Sequence, residues 1–365
     1  MSAGNDQSAQ SVRGAPQTLL ARTAPSVATP VAARARVGIT SLGWLVGLAA
    51  LAAVIAVALH FSEGREFVHL AQDAQPAWLV VAIALQLGTY ASEGEVWQRV
   101  ARACAISLRR STTWRLSVAK LFVDQALPSG GVSGTLVIAR SLEQRGVPRR
   151  AVGAGVAVDS ASYHASYMAC LAMAWLVTLP YHQANAAIGV ASLLFVLFAL
   201  TVTVGVLGLV GKSYAKLRRA ARFVPPLKHL VELLESADPV LARSPRLLGE
   251  AVACQLSIFL LDAATLWVLI AALGVRAAPA GVFGSFMFAT LFRTVGILPG
   301  GVGTFEATSV VALKLIGVSL PVALSATLLF RGLSFWLPIL PGLWFSRQVV
   351  TGSPERRAAT GVRIA

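Results

Sequence analysis

The stretch Leu298-Pro299-Gly300-Gly301-Val302-Gly303-Thr304-Phe305-Glu306 decides how this chain folds. It lies between two apolar runs with helical character. Pro299 has no backbone N–H and disfavours a helical conformation at the residue before it, and the glycines permit positive φ angles. We therefore expect one helix to end here and a second to begin near Gly303, with the ionisable Glu306 one turn into it.

A closely similar stretch occurs earlier in the chain, at Leu127-Pro128-Ser129-Gly130-Gly131-Val132-Ser133-Gly134. The match continues downstream, where Gly146-Val147 corresponds to Gly317-Val318, and an alanine-rich helical run follows each. Two matches in register indicate an internal repeat. Paired interruptions of hydrophobic segments in two halves of a chain are typical of a transport site.

The composition places the chain in a membrane. It has 365 residues, of which 56% are hydrophobic and 13% are charged, and its mean hydropathy is +0.70. Soluble domains carry about 25% charged residues. Runs of about 20 apolar residues indicate spanning helices.

We predict an all-α polytopic membrane protein with about six full spans and two broken-helix hairpins in inverted repeats, at about 77–179 and 247–345. The arms beside each break are too short to cross the roughly 30 Å hydrocarbon core, so we favour re-entrant hairpins. Four complete spans in their place are the alternative. The predicted full spans are about 42–61, 77–97, 151–179, 187–210, 247–273 and 321–345, and the broken segments are about 112–145 and 282–317.

The distribution of basic residues predicts the orientation. The segments on one side hold 24 Lys/Arg, whereas the opposite side holds only Arg65 and Arg276. The positive-inside rule then places both termini in the cytoplasm. The asymmetry also accounts for most of the formal charge of +15 without a nucleic-acid partner. The segments rich in Lys/Arg are 1–41, 98–116, 145–150, 211–246 and 346–365.

Four regions follow from this topology. Residues 1–40 are interpreted as a disordered cytoplasmic tail, 41–346 as the membrane domain and 347–365 as a basic cytoplasmic tail. The basic loop 211–246 is expected to lie along the anionic inner leaflet. Because the two repeats are inverted, the tips of the two hairpins should meet near the membrane midplane.

Charged residues at membrane depth are the candidate site, because such charges are costly and usually mark a pathway or a paired site. Helices that restart after a break direct free N–H groups toward the midplane, which favours an anion such as a lipid phosphate. We predict no cofactor, no metal site and no catalytic residue. The candidate lipid-binding residues are Pro128, Gly130, Gly131, Arg293, Pro299, Gly300, Gly301, Gly303, Glu306 and Arg331. The candidate polar pathway comprises Lys120, Asp124, Asp159, Asp262 and Lys314.

Two further expectations concern individual carboxylates. Glu306 is interpreted either as a carboxylate that stabilises the start of its helix or as a partner of Arg331 or Arg293. One hypothesis is that Glu306 and Arg331 pair with each other when the site is empty, since neither easily reaches bulk water. An arriving phosphate would then take over Arg331. Glu93 and Glu95 lie near the inner end of their span, so we expect both to be exposed at the interface.

The second half of the chain resembles a known family. Leu298–Glu306, Gly317-Val318, Phe330-Arg331 and Phe335-Trp336-Leu337-Pro338 are similar to the flippase-like integral membrane family that includes the transmembrane domain of lysylphosphatidylglycerol synthase. The resemblance covers about residues 40–350. It implies a multi-pass bacterial inner-membrane protein that handles lipids and is not an enzyme by itself.

The first half departs from the common pattern of this family. Thr135 and Ile138 stand where members often carry an acidic residue and an arginine, and Asp159-Ser160 stands in place of Asp-Arg. This half is more similar to a subgroup associated with hopanoid biosynthesis. Glu306 and Arg331 match the family pattern best.

The leading hypothesis is a flippase-like transporter that moves a phospholipid or an isoprenoid-derived lipid between leaflets, with membrane lipids of anionic head group as its ligands. A non-transporting scaffold for lipid-biosynthesis enzymes is the main alternative. A membrane-embedded polyprenyl-linked glycosyl transferase is the second alternative, although the acids are scattered rather than clustered as such chemistry requires.

Overall fold

The structure is a computed structural model that describes residues 75–126, 131–178, 186–213, 215–221, 225–295 and 299–351. All regular elements in these ranges are helical, as the sequence predicts. The predicted span 42–61 and the predicted tail 1–40 lie outside the described residues. The predicted tail from residue 347 is helical as far as Thr351, and the remainder of that tail is also outside the described part.

The first repeat consists of a long helix, a broken pair and a second long helix. Helix α1 spans Pro76–Ala103, α2 spans Arg110–Ala126, α3 spans Val132–Gln144 and α4 spans Arg149–Thr178. Helix α3 starts after Gly131, whose φ of 87° is left-handed. The two arms of the pair pack against each other.

Between the repeats, the described residues form four helices. Helix α5 spans Ala186–Leu209, α6 spans Ala215–Ala221, α7 spans Pro225–Glu235 and α8 spans Pro239–Ala242. Many large apolar side chains of α5 are exposed, in keeping with a helix that faces lipid.

The second repeat has the same order of elements as the first. Its long helix and broken pair are followed by a final helix that contains a π turn. Its elements are α9 (Pro245–Ala272), α10 (Pro279–Val295), a 3₁₀ turn (Pro299–Gly301), α11 (Thr304–Leu315), α12 (Leu320–Arg331), the π turn (Gly332–Trp336) and α13 (Ile339–Thr351).

The packing of the repeats is reciprocal. Helices α1 and α9 lie along each other, α2 packs on α13, and α10 packs on α4. Each broken pair thus contacts the last helix of the other repeat. The arms contain 12 to 17 residues, or roughly 18–26 Å, which is shorter than the roughly 30 Å hydrocarbon core.

Three described stretches are long and apolar enough to cross a membrane, namely Ser192–Leu209, Pro245–Ala272 and Leu320–Ser346. The predicted spans 77–97 and 151–179 are also long helices, of 28 and 30 residues. Both carry buried polar side chains, which lowers their mean hydropathy.

The loop 211–246 packs on the first repeat through one of its helices. The apolar face of α7 packs on α3 and α4, with Val231 and Leu234 buried in the protein. Helix α7 therefore covers the end of α4 with its apolar face, and the position of the loop along the inner leaflet stays a prediction. Lys212, Arg218 and Arg219 remain exposed and keep the loop surface basic.

Candidate functional site

The second break is held in a conformation that requires glycine. Gly300 and Gly301 have φ angles of 64° and 63°, in the left-handed region. A Cβ atom on Gly300 would lie 2.2 Å from the Phe335 ring, and one on Gly301 would lie 2.2 Å from Cγ of Arg293. The break therefore packs directly against α10 and the π turn.

Glu306 joins this break to the last helix. Its Oε2 accepts a hydrogen bond from the Gly303 backbone N–H at 2.6 Å, which caps the start of α11. Its Oε1 accepts from Nε of Arg331, also at 2.6 Å. Glu306 is 2% exposed and Arg331 is 3% exposed, so the pair is fully buried. Of the alternatives predicted for Glu306, the structure shows both the helix cap and the ion pair with Arg331.

Arg331 is satisfied by protein groups. Besides Glu306, its Nη2 donates to the Gly300 carbonyl at 3.1 Å. The guanidinium carbon lies 4.3 Å from the centre of the Phe335 ring and 5.5 Å from that of Phe305, within cation–π range. An arriving phosphate would have to displace these contacts before it reached Arg331.

Arg293 is the more available cation of this half. It lies in the last turn of α10 and is half-buried, with its stem against Gly301. Among the described residues, no carboxylate lies within 4.0 Å of its guanidinium. It is close enough to Asp262 and Tyr163 to interact with them electrostatically. A cation beside a helix break with no direct counter-ion is suited to bind an anion.

The first half has its own buried charge cluster. Lys120 on α2 donates to Oε1 of Glu93 at 2.5 Å and to Oδ2 of Asp159 at 3.0 Å. Gln255 on α9 donates to Oδ1 of Asp159 at 3.1 Å. Four helices from both repeats thus converge on one lysine, which the structure places in the polar interior.

The prediction that Glu93 is exposed at the membrane interface is wrong, whereas the same prediction for Glu95 holds in part. Glu93 is 7% exposed because it lies on the face of α1 that turns toward α2. Glu95, two residues later, lies on another face of the helix. It is partly exposed and pairs with Arg99 at 3.3 Å and with Arg102.

Asp124 caps the helix that follows the first break. Its Oδ1 accepts from the Gly134 N–H at 2.9 Å, in the first turn of α3. A Cβ on Gly134 would overlap the carboxylate, at 2.4–2.6 Å. Gly131 is the residue before α3, and Pro128 and Gly130 lie outside the described residues.

Asp262 is bound by a glutamine that the sequence reasoning missed. Gln86 on α1 donates to Oδ1 of Asp262 at 3.2 Å and to Thr89 at 3.0 Å. A signal for both glutamines is present in the sequence, since each repeat contains proline, then glutamine ten residues later, then an acid seven residues after that. The matching residues are Pro76, Gln86 and Glu93 in the first repeat and Pro245, Gln255 and Asp262 in the second.

The other predicted residues are placed differently. Lys314 is exposed at the end of α11, so the structure does not bring it into either cluster. The described interior contains five carboxylates and three cations. The carboxylates are Glu93, Asp124, Asp159, Asp262 and Glu306, and the cations are Lys120, Arg293 and Arg331. Within the described ranges, no three His, Cys, Asp or Glu side chains are placed to hold a metal ion.

These features define a class of protein: a helical membrane protein with two repeats, each broken beside a buried charge cluster. The chain belongs to the family of the lysylphosphatidylglycerol synthase TM region, whose model matches residues 44–342. It is thus a membrane domain of a family concerned with lipids. In the lysylphosphatidylglycerol synthases the catalytic domain is separate from this region.

A curated relative agrees with this assignment. The chain is 28% identical over 94 residues to the phosphatidylglycerol lysyltransferase of Bacillus subtilis (strain 168). The match covers 26% of this chain and 11% of the relative. The similarity therefore concerns a small part of that longer protein.

Proposed function

We propose that this protein is a lipid transporter of the flippase type, which moves a phospholipid or an isoprenoid-derived lipid between the leaflets of the bacterial inner membrane. The observation that carries the proposal is Arg293. It is a half-buried cation beside the second break, without a described carboxylate within 4.0 Å. The head group would bind there while the acyl or isoprenoid chains stay in lipid.

Three features support a transport role for this site. The family is a membrane domain associated with lipid synthesis. Each repeat contains a broken helix, an arrangement found at the substrate sites of secondary transporters. The charged residues sit in protein-lined surroundings beside the breaks, where irregular backbone is tolerated at membrane depth.

The structure distinguishes the two arginines that the sequence predicts to contact the phosphate, Arg293 and Arg331. Arg331 already donates hydrogen bonds to Glu306 and Gly300. We therefore assign first contact with an anionic head group to Arg293. The pair of Glu306 and Arg331 would then hold the break in shape while the head group passes.

A reconstitution experiment tests this proposal. The protein is placed in liposomes that contain a fluorescent anionic phospholipid, and a membrane-impermeant quencher reports the fraction of label in the outer leaflet. We expect the wild-type protein to accelerate equilibration and Arg293→Gln to abolish most of the acceleration. Arg276→Gln is the matched control, because Arg276 is an arginine in the short connection before α10, away from the break.

The results separate the candidate functions. Equal rates for wild-type liposomes and protein-free liposomes, with phospholipid and isoprenoid-phosphate probes alike, would favour the non-transporting scaffold. Normal transport by a well-folded Arg293→Gln protein would show that Arg293 is not part of the site, although the protein does transport lipid.

A further inference from the structure

Two backbone carbonyls within the π turn lack the donor that an α-helix would supply. In the π turn the Leu337 N–H donates to the Gly332 carbonyl at 2.8 Å. This bond takes the donor that an α-helix would supply to the Leu333 carbonyl. The Ser334 carbonyl loses its donor for a different reason, because position 338 is a proline and has no N–H.

Side chains from the first repeat satisfy both carbonyls. The Tyr90 hydroxyl on α1 donates to the Leu333 carbonyl at 2.8 Å. Nε2 of Gln125, near the end of α2, donates to the Ser334 carbonyl at 3.1 Å. Tyr90 is only 4% exposed. In a membrane interior, where water is scarce, an unpaired carbonyl is costly, so these two side chains stabilise the turn.

The same turn contacts the second break and the end of the arm that precedes the first break. Gln125 lies two residues before the segment that contains the first break. On the other side, Phe335 touches Gly300, and Arg331, which directly precedes the turn, binds the Gly300 carbonyl. The π turn therefore links the end of α2 to the second break, on which α2 also packs directly.

The hydrogen bonds from Tyr90 and Gln125 depend differently on the register of the turn. If the turn returned to α-helical register, the Leu337 N–H would bond to the Leu333 carbonyl, and the Tyr90 hydroxyl would no longer be needed there. The Ser334 carbonyl would still need Gln125 in either register, because Pro338 cannot supply a proton. The Tyr90 hydrogen bond is thus specific to the π register.

We propose that Tyr90 is a positioning residue for the second break: its hydroxyl holds the π register, and this register keeps Arg331 and Phe335 against Gly300. A change of one residue in register rotates the part of a helix before the turn by about 100° relative to the part after it. Helix α13, after the turn, packs on α2. Loss of the π register therefore moves Arg331 and Phe335 relative to the break.

The role of this movement in transport rests on the proposed lipid site, but the register itself is measurable without lipid transport. Hydrogen–deuterium exchange of the purified full-length protein reports the amides of residues 332–337 and the Gly303 amide, which Glu306 holds. Tyr90→Phe removes a single oxygen atom. Tyr167→Phe is the control, because Tyr167 is a fully buried tyrosine on α4 that packs on Phe195 and Phe259.

We expect Tyr90→Phe to raise exchange roughly five- to tenfold at residues 299–306 and 332–337, which is the effect of one lost hydrogen bond. The amides in the middle of α9 should keep the wild-type rate, and Tyr167→Phe should leave both segments unchanged. Unchanged exchange in Tyr90→Phe, or an equal rise in Tyr167→Phe, would overturn the inference.

The liposome assay of the same variants separates this inference from the proposed function. A rise in exchange together with slower lipid equilibration supports the positioning role. A rise in exchange with a wild-type transport rate would overturn the link to transport. If the wild-type protein itself does not transport lipid, the proposed function fails, and the exchange data alone decide whether Tyr90 holds the π register.

Discussion

At the scale of single residues, the second break depends on one buried ion pair. Glu306 bonds to both the Gly303 amide and Arg331, and Arg331 also bonds to the Gly300 carbonyl. Removing one member of a buried pair leaves the other charge without a partner, which is more damaging than removing both.

This asymmetry gives the first prediction. Arg331→Ala should destabilise the protein by about 3–5 kcal/mol, because it leaves the Glu306 carboxylate buried with one hydrogen bond. The double variant Glu306→Gln with Arg331→Ala should be less destabilised, since no buried charge remains. Thermal unfolding in detergent and the yield of folded protein measure which of the two variants is less stable. A control is Arg246→Ala, whose exposed pair with Glu250 is worth at most about 1 kcal/mol. A double variant at least as unstable as Arg331→Ala would contradict the prediction.

The buried lysine of the first half gives a second prediction at this scale. Lys120 bonds to Glu93 and Asp159, so Lys120→Met leaves two buried carboxylates without their cation. We expect a loss of folded protein comparable to that of Arg331→Ala. Glu93→Gln should be milder, because Lys120 keeps Asp159. Fluorescence-detected size-exclusion chromatography of both variants measures the yield of folded protein. A wild-type yield from both variants would show that the cluster contributes little to folding.

At the scale of elements, the breaks require glycine because other elements pack directly on them. The stem of Arg293 fills the space where a Cβ of Gly301 would lie. Gly301 also has a positive φ, which side chains other than hydrogen disfavour.

We therefore expect Gly301→Leu to insert in the membrane but to lose transport, because the added side chain displaces Arg293 and strains the turn. Gly208→Leu is a control, since a Cβ there meets nothing within 4 Å. Transport in liposomes, corrected for the amount of folded protein, measures the effect. A Gly301→Leu protein with normal transport would show that the break is not part of the site.

The π turn allows a prediction that concerns stability alone. Gln125 satisfies the Ser334 carbonyl because Pro338 cannot. Gln125→Leu should lower stability by about 1–2 kcal/mol in the wild-type chain and by much less in a Pro338→Ala background, where the substituted alanine supplies a backbone N–H. The four proteins form a double-mutant cycle, read by thermal unfolding. Equal effects of Gln125→Leu in both backgrounds would show that the contribution of Gln125 does not depend on the missing N–H of Pro338.

At the scale of the whole molecule, the orientation remains a prediction from the charge asymmetry. We expect Lys228 on α7 to face the cytoplasm and Arg276 to face the opposite side. Each is replaced in turn by cysteine in a protein that lacks Cys104, Cys170 and Cys254. A membrane-impermeant thiol reagent applied to intact cells should label position 276 and spare position 228. Labelling of position 228 from outside would reverse the orientation.

The sequence by itself determined the class of protein, the two breaks, the repeat and the need of Glu306 and Arg331 for a partner. These features are local or periodic: proline and glycine end helices wherever they occur, apolar runs mark membrane helices, and a buried charge requires a partner. The tertiary structure decided which face of each helix is buried and which distant groups meet. Glu93 is buried because α2 packs on its face of α1. Arg331 is already bound by protein groups because Gly300 and Phe335 lie against it. Tyr90 and Gln125 reach the π turn only because the two repeats pack reciprocally. Such contacts join residues more than 200 positions apart, and no local pattern specifies them.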